Sequence, residues 1–459
     1  MYKVDFNNPK HFHFIGIGGV SMSGLAEILV KRGFTVTGSD NSESEYTSNL
    51  TKLGVKIAFS QEASNITDDI DCVVYTAAIK DDNPELSEAK RREVPLLTRA
   101  QFLGQVMDNY SESIAVAGTH GKTSTTSMIS QVLLELPEDP TISIGGIFSA
   151  INSNIHAGTS ETFITEACEY TNSYHEFYPK YSIILNIEED HLDFFKDLND
   201  IRHSFNKFAN NTLDDGCIII NNDIPDLSEI TEGTKAEIVT FGTTNEADCY
   251  AKNISFDDFG NGIFTPVYFG DELEEIHLKV PGNHNISNAL AAVLFLKKFG
   301  VDNKTIKAGL EKFEGAERRF QFKGKVNGIN IIDDYAHHPT EIKVTLESAK
   351  NYPHERVVCV FQPHTYTRTK ALLKELAEAL SIADIVILSK IYAAREKDIY
   401  NVSSRDLLKE VEKYGTEAYY FDTFSEIEEF ILKKCINNDL LITMGAGDIV
   451  KVGNELLEK

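Results

Sequence analysis

Apolar residues fall along the chain in short β-branched and aromatic runs, separated by stretches whose apolar positions recur three and four apart. This alternation predicts parallel α/β layers. The opening reads as a strand FHFIGI from Phe12, a helix SGLAEILVKRG from Ser23, a strand TVTGSD from Thr35 and a strand CVVYTAA from Cys72. A helix at Arg99–Met107 leads into the polar stretch DNYSES, read as a linker. A second block opens with the strand SIAVAG and a helix from Lys122, followed by the strands FITEA and YSIILNI. Between Cys249 and Val280 the pattern turns to alternation around FDDFGNG, which predicts an antiparallel insert, and a helix from Asn285 to Phe299 follows. From Arg318 the strands INIIDD, VVCVFQP, ADIVILS and LLITMGAG alternate with helices. The prediction is an α/β protein of three domains: 1–108, 109–317 and 318–459.

Composition narrows the partners. The chain carries 44 basic and 70 acidic residues, a formal charge of −26, so nucleic acid and anionic lipid are disfavoured. A polyanionic substrate would need relief from bound metal or a few placed cations. Six scattered cysteines without a CxxC pair fit free thiols in a reducing compartment. The N-terminus does not read as a signal peptide, and no run approaches the roughly 18 apolar residues of a membrane span. A cytoplasmic protein is expected.

Two loops carry phosphate chemistry. In AVAGTHGKTSTT a strand ends at Gly118, Gly121 turns, and Lys122 and Thr123 start a helix. Helix N-termini offer free N–H groups and a positive dipole end to anions. Gly118, Thr119, His120, Gly121, Lys122, Thr123 and Ser124 are therefore the candidate ATP loop, with Lys122 on the terminal phosphates and the Thr123 hydroxyl on Mg²⁺. Val116 stands where the common P-loop has glycine, so this is a compact variant. The other loop, FIGIGGVSMSGLAEIL, places Gly16, Gly18, Gly19, Val20 and Ser21 between a strand and a helix, with Asp40 ending the second strand. Alone it suits NAD as readily as any other pyrophosphate.

The compact loop GTHGKTST resembles that of the Mur ligases and the related folylpolyglutamate synthetases. Further segments of the chain resemble the family's other motifs in order: EACEY at Glu166, NIEEDHLD at His191, PGNHNISNALAA at Asn283 and His284, AERRFQ at Arg318 and Arg319, DDYAHHPTEI, and FQPHTYTRT. The resemblance implies Rossmann-like N- and C-terminal domains around a P-loop ATPase-like centre. It implies amide ligation through an acyl phosphate, with ATP and two Mg²⁺ ions, held by Thr123, Glu166 and His191. Asn283, His284, Arg319 and Asp334 would contact ATP, and the C-terminal domain would close on ATP and the amino acid.

For catalysis the resemblance points to Lys122, His191, His337, His364 and Arg368. His337 and His338 precede Pro339 at a helix start, where a capping role competes for His338. His364 and Arg368 follow the strand VVCVFQP, at the end where α/β sheets bind ligands. Many such ligases carry arginine where this chain has Thr365, which leaves Arg368 and Arg395 as candidates for the amino-acid clamp. Other members carry a carbamoylated lysine downstream of the equivalent histidine; the stretch after His191 offers Lys196 and Lys207 without assigning either to that position, so no modification is predicted, and the terminal MGAGDI turn (Gly445, Gly447, Asp448) reads as structural.

Within the family the N-terminal loop is similar to that of the branch adding L-alanine to UDP-N-acetylmuramate. There Gly16, Gly18, Gly19, Val20 and Ser21 would grip the UDP pyrophosphate and Asp40 the uridine, with capping as the other reading of Asp40. The alternative is the recycling branch, which adds an L-Ala-γ-D-Glu-diaminopimelate tripeptide to the same acceptor. A monomer or weak homodimer is expected. A dehydrogenase would account for the first loop but not for Lys122, Glu166 or His191.

Overall fold

In the computed structural model, which describes residues 2–76, 78–192, 194–394 and 396–459, the strand His11–Ile15 is buried almost throughout, as a central parallel strand must be. It lies in a five-stranded sheet ordered Lys56–Ala58, Thr35–Ser39, His11–Ile15, Cys72–Tyr75, Leu96–Thr98, with every neighbouring pair parallel. Strand order reverses between His11–Ile15 and Cys72–Tyr75. Gly16–Gly19 follows the carboxyl end of His11–Ile15, the edge where a doubly wound sheet binds ligands.

The same compact unit, Met1–Cys249 with Ala291–Ile306, holds a second run of strands. These are ordered Glu237–Gly242, Cys217–Asn221, Tyr181–Ile184, Glu112–Ala117, Thr162–Ala167, Thr141–Phe148 and Ser153–His156, all parallel except the last pair. One apolar core runs through both sheets, from Phe12, Leu25 and Phe102 to Ala115, Phe163 and Phe205. Glycines let the layers touch. A Cβ on Gly24 of the helix Val20–Lys31 would lie 2.0 Å from Ile155 Cδ1, and one on Gly104 of the helix Arg99–Met107 would lie 2.0 Å from the Glu176 carbonyl oxygen. The stretch DNYSES is packed rather than loose: Tyr110 is buried and stacks on Phe163, with ring centroids 5.1 Å apart.

The other unit comprises Tyr250–Leu290 and Lys307–Lys459. Its antiparallel part pairs Asn261–Tyr268 with Asp271–Glu272 and with Ile276–Pro281, as the alternation predicts. Its larger sheet is ordered Gln321–Val326, Ile329–Asp334, Leu440–Met444, Val357–Phe361, Ile385–Leu388, Glu417–Tyr420; the first pair is antiparallel and the rest parallel. Period-two alternation divides Val357–Phe361 between two cores. Val357, Cys359 and Phe361 pack with Leu346 and Leu380, and Val358 and Val360 with Ile427 and Val452. Among the described residues no helix is long and apolar enough to cross a membrane.

Candidate active site

The candidate ATP loop is built on the carboxyl end of the strand Glu112–Ala117, with Gly118 at φ 147° and Gly121 at φ 85°. Gly121 caps the helix Lys122–Leu133 in the left-handed region, without a side-chain cap. The helix Val20–Lys31 likewise starts on Gly19 uncapped. By contrast, the helices starting at Glu45, Pro84 and Arg99 are capped by Ser44, Asn83 and Thr98. The two loops read as phosphate sites thus leave their helix N–H groups for a ligand.

The loop is held from the neighbouring strand end. Asn186 accepts from Thr119 N through its carbonyl (3.1 Å) and from His120 N through Oδ1 (2.8 Å), and its Nδ2 donates to the His120 carbonyl at 3.0 Å. Glu188 N donates to Thr119 Oγ1 at 2.9 Å. Lys122 Nζ folds onto the carbonyls of Gly118 and Thr119 and pairs with Glu169 at 3.0 Å. Burial acts to lower the Lys122 pKa, but the nearby Glu169 and Glu166 charges outweigh it, and the ammonium is held above its usual range. Neither Asn186 nor Glu169 was singled out from sequence. The signal for Glu169 was a second acid three residues after Glu166 in EACEY.

Glu166 projects from the strand Thr162–Ala167 and accepts from Gly145 N at 2.7 Å; Thr123 Cγ2 would lie 3.6 Å from a Cβ on Gly146. The Glu166 carboxylate and the Thr123 side chain therefore border adjacent glycines, Gly145 and Gly146. His191, at φ 53°, lies with Nε2 3.8 Å from both Glu169 Oε1 and Asp190 Oδ2, and its ring rests on Tyr170 at 4.5 Å. Among the described residues no cluster of three or more His, Cys, Asp or Glu forms a closed metal cage. Sparse oxygen ligands suit Mg²⁺, which keeps several waters and completes its shell with substrate phosphates.

At the N-terminal sheet, Asp40 Oδ2 accepts from Gly18 N (2.8 Å) and Oδ1 from Asn41 N (2.8 Å), so this carboxylate shapes the glycine loop directly. A Cβ on Gly18 would meet Asp40 Oδ2 at 2.9 Å. Arg99 reaches across from its helix start to donate to Ser21 Oγ at 3.3 Å.

In the second unit, Asp334 ends its strand, buried, accepting from Phe320 N and Ala336 N at 2.7 Å each; burial raises its pKa to about 6. Arg318 is structural, bound to Asp333 and to the carbonyls of Gly445 and Gly447, which fits the structural reading of the MGAGDI turn. Arg319 lies over Tyr335 at 5.4 Å. His338 caps the helix Pro339–Ala349, accepting from Thr340 N, with Glu341 closing the box. His337 Nδ1 lies 3.0 Å from the Tyr335 carbonyl, and its ring is 5.6 Å from His364. Arg368 donates to His364 Nδ1 at 3.1 Å, and His364 stacks on Tyr392 at 5.7 Å. Thr365, at φ 64°, caps the helix carrying Arg368. Asn283 and His284 open the exposed start of the helix Asn283–Lys298, two residues earlier than predicted. Arg395 lies outside the described residues.

Two glycine loops, each opening a helix without a side-chain cap, thus stand at the carboxyl ends of parallel strands. Residues 11–111 match the family model "Mur ligase family, catalytic domain", residues 116–296 "Mur ligase middle domain", and residues 318–447 "Mur ligase, glutamate ligase domain". The chain belongs to the Mur ligase family. It is 57% identical to the UDP-N-acetylmuramate–L-alanine ligase of Agathobacter rectalis, covering all of both chains. The crystal structure of the UDP-N-acetylmuramate–alanine ligase of Thermotoga maritima superposes with a TM-score of 0.80 at 31% identity, over 98% of both chains. A murein peptide ligase of Psychrobacter arcticus gives 0.70 at 25% identity over the same share.

Proposed function

We propose that the protein joins L-alanine to the lactyl carboxylate of UDP-N-acetylmuramate at the expense of ATP, as a cytoplasmic step of peptidoglycan precursor synthesis. End-to-end identity with relatives named for that reaction carries this reading, and the two uncapped glycine-started helices support it with one anion site for each nucleotide.

A carboxylate oxygen attacks the γ-phosphorus and the bond to ADP breaks. The amine then attacks the acyl carbon, phosphate leaves, and the ammonium proton passes to solvent or a base. Both steps gather negative charge, so the protein's work is positioning and electrostatic relief. Lys122, released from Glu169, meets the terminal phosphates. Thr123 and Glu166 would hold one Mg²⁺, and His191, steadied by Tyr170, a second. Bound magnesium would neutralise charge shared by the phosphates. Arg368 would take the amino acid's carboxylate. With its Nδ1 occupied by Arg368 and its basicity depressed, His364 orients that arginine rather than abstracting a proton.

Phosphate release with ATP, Mg²⁺, UDP-N-acetylmuramate and L-alanine, with the amide product seen by mass, tests the assignment. Release with the diaminopimelate tripeptide but not alanine would move the protein to the recycling branch. Lys122→Ala should lower release by about 10²–10³-fold while UDP-sugar affinity holds. Equal loss of both would contradict the separation of the loops.

A further inference from the structure

We infer that Arg99 is the cation that grips the nucleotide sugar's diphosphate at the glycine loop, an inference resting on the reading of that loop as the UDP site. Arg99 is the first residue of the helix Arg99–Met107, directly after the strand Leu96–Thr98. That strand is parallel to Cys72–Tyr75, with Thr98 in register with Tyr75. Its carboxyl end therefore faces the same edge as the glycine loop, the edge where parallel sheets bind ligands. The half-buried side chain reaches Ser21, the second residue of the helix Val20–Lys31, so the guanidinium stands at the uncapped N-terminus where anions are favoured.

Pairing separates Arg99 from most of the arginines; Arg32 also lacks a carboxylate, but its guanidinium is taken up by Tyr110 Oη, the Gly158 carbonyl and the rings of Phe6 and Tyr110. Arg92, Arg202, Arg318, Arg356 and Arg405 each contact a carboxylate. Among the described residues Arg99 contacts none, in a chain where acids outnumber bases 70 to 44. Its one hydrogen bond, at 3.3 Å, is to a neutral hydroxyl, which leaves most of its five N–H donors for a ligand. A guanidinium fork matches two phosphate oxygens, and a half-buried cation without a counter-charge is a standing electrostatic cost that a diphosphate removes. Arg99 is also close enough to Cys168, beside Glu169, for its charge to bear on that thiol.

Calorimetric titration of the full-length protein in Mg²⁺-free buffer tests this with three probes: uridine, UDP and UDP-N-acetylmuramate. Arg99→Ala should weaken UDP and UDP-N-acetylmuramate together by about 10–100-fold and leave uridine unchanged, with Arg99→Lys intermediate. In turnover the KM for the sugar nucleotide should rise while kcat and the KM for ATP hold. Arg99→Met, which keeps the aliphatic stem, separates charge from packing, and unchanged thermal unfolding excludes a folding defect. Wild-type-like UDP binding in both neutral variants would overturn the inference. So would a loss confined to UDP-N-acetylmuramate, which would assign the guanidinium to the lactyl carboxylate. Wild-type protein that binds no UDP would instead remove the reading of the loop itself.

Discussion

His364 is held neutral by partial burial and by its nearness to His337 and the Arg368 guanidinium, which bring its pKa down to about 4. The bond from Arg368 needs an unprotonated Nδ1, so geometry and charge agree. A depressed histidine favours folding above the ordinary pKa near 6.5, and that contribution is lost as pH falls from 6.5 through 4. Histidine-labelled NMR should therefore show the His364 ring untitrated between pH 8 and about 5.5. In Arg368→Ala, with the charge gone and the ring better hydrated, its midpoint should move up toward 6.5. A midpoint that stays near 4 in the variant would show that Arg368 plays no part in holding it. The Lys122–Glu169 pair was hidden for a related reason: EACEY shows two acids, but only the fold decides which one reaches the lysine.

Among the elements, the helix Arg99–Met107 depends on a glycine that sequence periodicity treats as neutral. At Gly104 an added Cβ meets a backbone carbonyl, which cannot swing aside; at Gly24 it meets the Ile155 side chain, which can give partly. Gly33, at φ 83° with nothing within 4 Å, faces only the backbone cost of a left-handed residue. Denaturant unfolding should rank the losses Gly104→Ala above Gly24→Ala above Gly33→Ala, from more than about 3 kcal/mol down to about 1 kcal/mol. An inverted order would mean that the Gly104 contact is not rigid. Gly104→Ala should also weaken UDP binding, because it displaces the helix that carries Arg99.

For the whole molecule, the six cysteines are free, and Cys72, Cys217, Cys249 and Cys359 are buried. Burial pushes the first three up to about 12 and raises Cys359 as well, so they are poor nucleophiles in the native state. A chromogenic thiol reagent at pH 8 should titrate at most the remaining two, exposed Cys168 and half-buried Cys435, and all six after unfolding. Reducing agent should leave the melting temperature unchanged. Rapid reaction of more than two native thiols would contradict the packing of both units.

Local pattern was enough to read the alternating strands and helices, the antiparallel insert and the two glycine loops, because a phosphate loop needs glycine and a helix start within a few consecutive residues. The hairpin Thr141–Phe148 with Ser153–His156 escaped it, since glycines and asparagines there mask the alternation that pairing with Thr162–Ala167 enforces. Strand order, the clasp of Asn186 on the loop Gly118–Lys122, the choice of Glu169 for Lys122 and the reach of Arg99 to Ser21 were decided by tertiary structure alone. These pairs are 47 to 78 residues apart in sequence, and no local periodicity carries information over that distance.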